Sequence, residues 1–158
     1  MAASNFTDVA DFPLRTSDKL RYADTDRQGH VNNAVFATFL ETGRVELIAG
    51  DALADEGAAF VIARLELDFL SEVSWPGTVD IGTAVSEVGR SSFKLVQKVF
   101  QDGRAVAQAV TVIVQMNEAT RKSHPLSEKR PAEAAGAGQA CTRHIAGSTG
   151  LWLDLLRE

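Results

Sequence analysis

The sequence predicts an α+β fold, one long apolar helix laid on a curved antiparallel sheet, and three observations carry this. Residues 34–48 place Phe36, Phe39, Leu40 and Leu47 near the 3.6-residue period, with Gly43 between them. Four later segments read as strands, and the last three are separated only by short turns. The order is strand, helix, four strands, which suits a helix covering an antiparallel sheet better than alternating βαβ units.

Taken in order, residues 1–13 read as a loose arm ending at Pro13, and residues 14–23 as a first strand of mixed, partly exposed character. Asn32 or Asn33 caps the first turn of the helix. Gly50-Asp51 and the small, acidic stretch to Gly57 break the chain, and Ala58 or Ala59 opens the next strand. There Val61, Ala63, Leu65, Leu67 and Phe69 alternate with Ile62, Arg64, Glu66 and Asp68, which predicts one buried face. Trp75-Pro76-Gly77 turns the chain. Residues 78–88, 92–100 and 104–116 follow as an antiparallel meander, joined by Gly89-Arg90-Ser91 and by Gln101-Asp102-Gly103, whose Asp-Gly pair is a strong hairpin former. The last of these strands carries apolar residues on both faces, Val110, Val112 and Val114 against Ala107, Ala109 and Ile113, and is therefore placed centrally.

Beyond His124-Pro125 the chain turns polar, and residues 131–140, rich in Ala and Gly, read as a short helix and flexible tail. Trp152, Leu153, Leu155 and Leu156 are spaced for one helical turn that docks on its own subunit or on a neighbour. The expected organisation is thus an arm (1–13), a single domain (14–130) and a tail (131–158).

At 158 residues, 45% of them apolar, the chain can bury a core without a disulfide or metal staple. The single cysteine, Cys141, allows no intrachain disulfide and fits a reducing compartment. Residues 1–11 lack the pattern of a secretory signal, and no stretch approaches the roughly 20 apolar residues that span a bilayer, so a cytoplasmic protein without a membrane partner is expected. A net charge of -5 argues against general nucleic-acid binding, although a small basic patch can still hold one phosphorylated ligand. No P-loop, dinucleotide fingerprint, CxxC pair or HExxH is present, so nucleotide hydrolysis, hydride transfer and zinc chemistry lack support.

The chemistry concentrates in the run from Tyr22 to Asn33, directly before the helix. Helix-start N–H groups carry partial positive charge and favour an anion or a polarised carbonyl, while Asp26 and His30 can exchange protons. That layout suits acyl transfer. Each Asp or Asn taken singly is as ordinary as any turn or cap residue, but the whole string is not. Asp24, Thr25, Asp26 and Gly29 fit D-x-D-x-x-G, and Asp26, His30, Val31, Asn32 and Asn33 fit D-x-N-x-H-V-N-N. The string resembles the hotdog-fold thioesterases, both the 4-hydroxybenzoyl-CoA thioesterase-like branch and the plant acyl-ACP thioesterases, and Glu41-Thr42-Gly43-Arg44 is also similar. The resemblance covers about residues 14–125.

The resemblance implies a hotdog fold, a long central helix wrapped by a five-stranded antiparallel sheet, and hydrolysis of a thioester to a carboxylic acid and coenzyme A. In the benzoyl-type branch the second Asp of the motif, here Asp26, attacks the carbonyl or activates water. A backbone N–H seven residues later, here that of Asn33, polarises the carbonyl. Another branch places a catalytic Glu eight residues beyond that amide, here Glu41, whose other reading is an ion pair with Arg44. The plant branch makes His30 a candidate to position water or orient Asp26. That branch has Asn where this chain has Gln28, which leaves its polar triad incomplete here. Coenzyme A phosphates need Lys, Arg and N–H groups, which Arg90, Ser91 and Ser92 in a strand turn, and Arg121-Lys122, offer; a solvated turn is the alternative. No metal or bound cofactor is implied, coenzyme A entering only with the substrate. Cys141, His124 and His144 are read as non-catalytic. The partners expected are acyl-CoA or acyl-ACP and further copies of the chain, as homodimer or homotetramer, because one helix cannot cover the sheet and its edges need pairing. A non-catalytic acyl-CoA-binding protein is the alternative to an enzyme.

Overall fold

The computed structural model describes residues 6–50 and 54–127. It contains β1 (Leu14–Lys19), α1 (Asn33–Gly50), β2 (Ala58–Phe69), β3 (Thr78–Val88), β4 (Ser92–Gln101) and β5 (Arg104–Asn117). The strands form one antiparallel sheet in the order β1-β3-β4-β5-β2. This is the helix-on-sheet arrangement of the hotdog fold. The meander β3-β4-β5 lies at its centre, and β5 has a neighbour on both sides.

The helix lies flat because Gly43 lets it. A Cβ there would stand 2.7 Å from Ile81 Cγ2 and 2.8 Å from Thr83 Oγ1, closer than packed atoms allow. Around this point Phe36, Phe39 and Leu40 bury against Ile81, Val99, Ala107 and Ala109. Leu47 packs further along with Val85, Phe93, Leu95 and Ile113. Gln97, fully buried beneath the helix, donates from Nε2 to the Leu40 carbonyl and to Thr83 Oγ1, both at 3.0 Å.

Three expectations need correction. The described part of the arm is docked: a 3-10 turn at Val9–Asp11 leads to Phe12, which is buried on the sheet face opposite the helix with Ala84, Val96 and Phe100. Phe6 stacks on Phe12 with ring centroids 4.3 Å apart. The aromatic side chains find apolar sheet surface that α1 leaves bare. Secondly, β2 does not bury one face. Ile62, Leu65 and Phe69 are 46%, 36% and 49% exposed. Among the described residues the strand is an edge bonded only to β5, its alternation is broken by a bulge between Ile62 and Arg64, and α1 packs chiefly on β1, β3 and β4. The first strand is also shorter than expected, ending at Lys19 before a 3-10 turn at Tyr22–Asp24.

No helix among the described residues is long and apolar enough to cross a membrane. Cys141, His144, the short helix of residues 131–140 and the apolar turn around Trp152 lie outside the described residues.

Candidate active site

The loop between β1 and α1 is a folded unit. Asp24 is buried, and its carboxylate accepts from the Arg21 backbone N–H at 2.8 Å and pairs with the Arg21 guanidinium at 2.8 Å. Burial pushes the Asp24 carboxyl up, but the hydrogen bonds and charge of Arg21 outweigh it and hold the group below its ordinary value. The Asp24 carbonyl then accepts the Asn32 N–H at 2.8 Å, closing the loop on itself. The first Asp of the motif is therefore structural.

Asp26 is different. It is exposed, its Oδ1 accepts the Gln28 N–H at 2.8 Å, and its own N–H donates to the His30 carbonyl at 2.8 Å. Gly29, at φ +85°, supplies the left-handed residue that lets the turn close over this pair. Gln28 thus meets Asp26 through its backbone. His30 lies opposite Ser74 in a short antiparallel bridge, and its Nε2 stands 3.2 Å from Glu72 Oε2. Glu72 has no motif around it in the sequence, and only the pairing of the two loops brings it to His30.

Of the two cap candidates, Asn32 does the capping: its Oδ1 accepts the Ala34 N–H at 3.0 Å. Asn33 is the first helical residue, so its N–H has no carbonyl one turn back to bond and points out of the helix start. The structure thus gathers Asp26, His30 and the Asn33 N–H into one loop and helix start. An exposed carboxylate in the loop that leads into a helix-start N–H with no bond among the described residues can activate water and hold a developing oxyanion.

Glu41 is not part of this group. It sits eight residues along α1, about 12 Å by helical rise, and lines a cavity between the helix and β2. The Glu41–Arg44 ion pair is not formed among the described residues; Glu41 acts on Arg44 only through its charge. Arg90, Ser91 and Ser92 are also elsewhere. Arg90 and Ser91 lie in the β3–β4 turn and Ser92 opens β4, whereas the site loop adjoins the start of β3, eleven residues and about 33 Å away. Arg121 and Lys122 share that far end: the Gln115 N–H donates to the Ser91 carbonyl, the Leu126 N–H to the Arg90 carbonyl, and Lys122 bonds back to Asn117. His124 lies there too, its N–H donating to the Gln115 carbonyl at 2.8 Å and its Nε2 3.4 Å from Asp55 Oδ2. Among the described residues no three His, Cys, Asp or Glu side chains converge as a metal group.

A family model described as the thioesterase-like superfamily matches residues 20–134. Among solved structures, a Thermus thermophilus thioesterase complexed with coenzyme A and zinc is 34% identical. The alignment covers 79% of this chain and 96% of that one, with a TM-score of 0.70. A predicted thioesterase from Bacillus stearothermophilus is 26% identical over 73% of this chain and 89% of its own, TM-score 0.67. The DHNA-CoA thioesterase of Staphylococcus aureus is 25% identical over 80% and 90%, TM-score 0.69. No curated protein sequence matches.

Proposed function

This chain belongs to the thioesterase-like superfamily, and from that premise we propose that it is an acyl-CoA thioesterase, splitting a thioester into a carboxylic acid and coenzyme A. The observation that carries this reading is the placement of the exposed Asp26 carboxylate in a braced loop immediately ahead of the unused Asn33 N–H. Asp26 is the base. One of its oxygens is occupied by the Gln28 N–H, and the other takes the proton of a water that attacks the carbonyl carbon. Negative charge moves to the carbonyl oxygen, facing the Asn33 N–H, and the tetrahedral intermediate collapses by breaking the carbon–sulfur bond. The coenzyme A thiolate leaves and takes up the proton that Asp26 holds, which restores the base. His30 positions the Asp26 loop.

The enzyme works as a homodimer or a pair of dimers, in the cytoplasm. Two features support a shared site. The exposed edge of β2 invites pairing with a second copy, and the basic turn suited to coenzyme A phosphates lies too far from Asp26 of the same protomer to serve it. A partner packed antiparallel brings its far end to the first protomer's loop, so Arg90, Ser91 and Ser92 bind the coenzyme of the neighbouring site.

Release of free thiol from short, long and aryl acyl-CoAs, with acyl-ACP in parallel, tests the reaction. Thiol release from acyl-CoA is expected; binding without release from any substrate would make this an acyl-CoA-binding protein instead.

A further inference from the structure

The site loop between β1 and α1 is hung at both ends on the loop between β2 and β3, residues 70–77. The Gly77 carbonyl accepts the Leu20 N–H at 3.0 Å just after β1, and the Val73 carbonyl accepts the Val31 N–H at 2.8 Å just before α1. Ser74 lies opposite His30 in an antiparallel bridge. The His30 carbonyl in turn accepts the Asp26 N–H at 2.8 Å, so the place of the base depends on where residues 73–77 are held.

A side chain from the end of β4 holds them. The bridge is bonded through a residue flanking the His30–Ser74 pair, Val31 to Val73, so the N–H and C=O of Ser74 itself point to the far side. Gln101 takes both: its Oε1 accepts the Ser74 N–H at 3.1 Å and its Nε2 donates to the Ser74 carbonyl at 2.7 Å. One carboxamide does here what the backbone of a neighbouring strand would do. Gln101 is only 7% exposed, so the two bonds are shielded from competing water. The loop is also fixed at its start, where the Val106 carbonyl accepts the Leu70 and Ser71 N–H groups, and by the buried Val73 side chain. Neither anchor sets the peptide groups of Ser74.

We propose that Gln101 is a positioning residue for the reaction, acting on Asp26 through Ser74 and His30 without touching the substrate. The proposal rests on the thioesterase reading and adds to it a residue that no motif marks. Without the amide, a buried N–H and C=O lose their partners and the loop shifts to find others. A displacement of about 1 Å at a reacting group can cost roughly 100-fold in rate.

The test measures Gln101→Met and Gln101→Glu against wild type. Gln101→Met keeps the length of the side chain without its hydrogen bonds, and is expected to lower kcat by about tenfold or more while KM stays within about twofold. Hydrogen exchange over residues 24–32 should quicken, with β4 and β5 unchanged. In Gln101→Glu a protonated carboxyl donates and accepts as the amide does, whereas the ionised form only accepts and repels the Ser74 carbonyl. Its kcat relative to wild type, a ratio that cancels the titration of the base, should therefore be near wild type at acid pH and fall as pH rises. Wild-type kcat in Gln101→Met, unchanged exchange over residues 24–32, or a Gln101→Glu ratio flat with pH makes Gln101 a staple of its own loop and overturns the proposal. Should Gln101→Met fail to fold by circular dichroism, the Gln101→Glu ratio decides alone. No thiol released by wild type from any acyl-CoA, with exchange over residues 24–32 still faster in Gln101→Met, keeps the coupling and overturns the hydrolase.

Discussion

His30 Nε2 stands 3.2 Å from Glu72 Oε2, joining the loop before α1 to the loop before β3. The same residue is fixed through its backbone, its carbonyl accepting the Asp26 N–H at 2.8 Å. The base of the proposed reaction is thus set by a histidine that is itself held from the opposite loop.

Asp26→Asn should lower kcat by at least about 100-fold, the scale of losing a general base, with an unchanged circular dichroism spectrum. Glu41→Gln, on the cavity two turns away, should cost far less. A near wild-type rate in Asp26→Asn beside a dead Glu41→Gln would move the base onto the helix.

His30→Ala should cost less than Asp26→Asn, because the turn keeps its backbone bonds without the ring. Glu72→Ala should cost less again, under about threefold in kcat. Its carboxylate is 74% exposed, and ion pairs so open to water contribute about 0–1 kcal/mol. A loss at Glu72 matching that at His30 would make the pair, and not the turn, the positioning element.

Gly43→Ala should destabilise the protein. Alanine gains up to about 1 kcal/mol of helix propensity over glycine, but its Cβ would stand under 3 Å from Ile81, Thr83 and Gln97, and overpacking costs about 1–3 kcal/mol. The clash wins, and differential scanning calorimetry should show a fall of a few degrees in Tm; a rise would mean the helix lifts off the sheet at no cost.

Asp24 sets an acid limit. Its folded carboxyl titrates below the ordinary value, so the unfolded chain takes up the proton first as pH falls. The stability it contributes is complete above the unfolded pKa, about 3.9, and is lost as pH drops through the lower folded value. Asp24→Asn should lower stability at neutral pH and flatten the acid arm of a urea-denaturation series. An unchanged arm would assign acid unfolding to other carboxylates.

Light scattering coupled to size exclusion should give twice or four times the monomer mass of 17.0 kDa. An active species at 17.0 kDa would overturn both the assembly and the shared coenzyme site.

The helix and the meander were legible in the sequence because their causes are local: a 3.6-residue apolar period behind an asparagine cap, and strands joined at Asp102-Gly103, where Asp102 (φ 51°) and Gly103 (φ 74°) both take the left-handed turn conformation. The loop chemistry was legible as a string, but the division of labour within it was not. Asp24 and Asp26 look alike in the motif and differ only because Arg21 folds back on one of them. Strand order has no local signature, so the alternation in β2 read as a buried face although the strand is an edge. Glu72 was invisible for the same reason. Arg44 entered only as the alternative ion-pair partner of Glu41, and its burial was not legible, since nothing near a charged helix residue announces that a glycine beside it presses the helix onto the sheet.

The pairing of β2 also sets the order of folding. Ala58 meets Asn117 and Phe69 meets Ala107, so β2 leaves the ribosome well before its partner β5 exists, and β1 likewise waits for β3. The meander β3-β4-β5 closes through short turns and forms first, because short loops cost less entropy to close than long ones. The strands made earliest are then the last to join, and pulsed hydrogen exchange during refolding should protect the amides of β4 before those of β2.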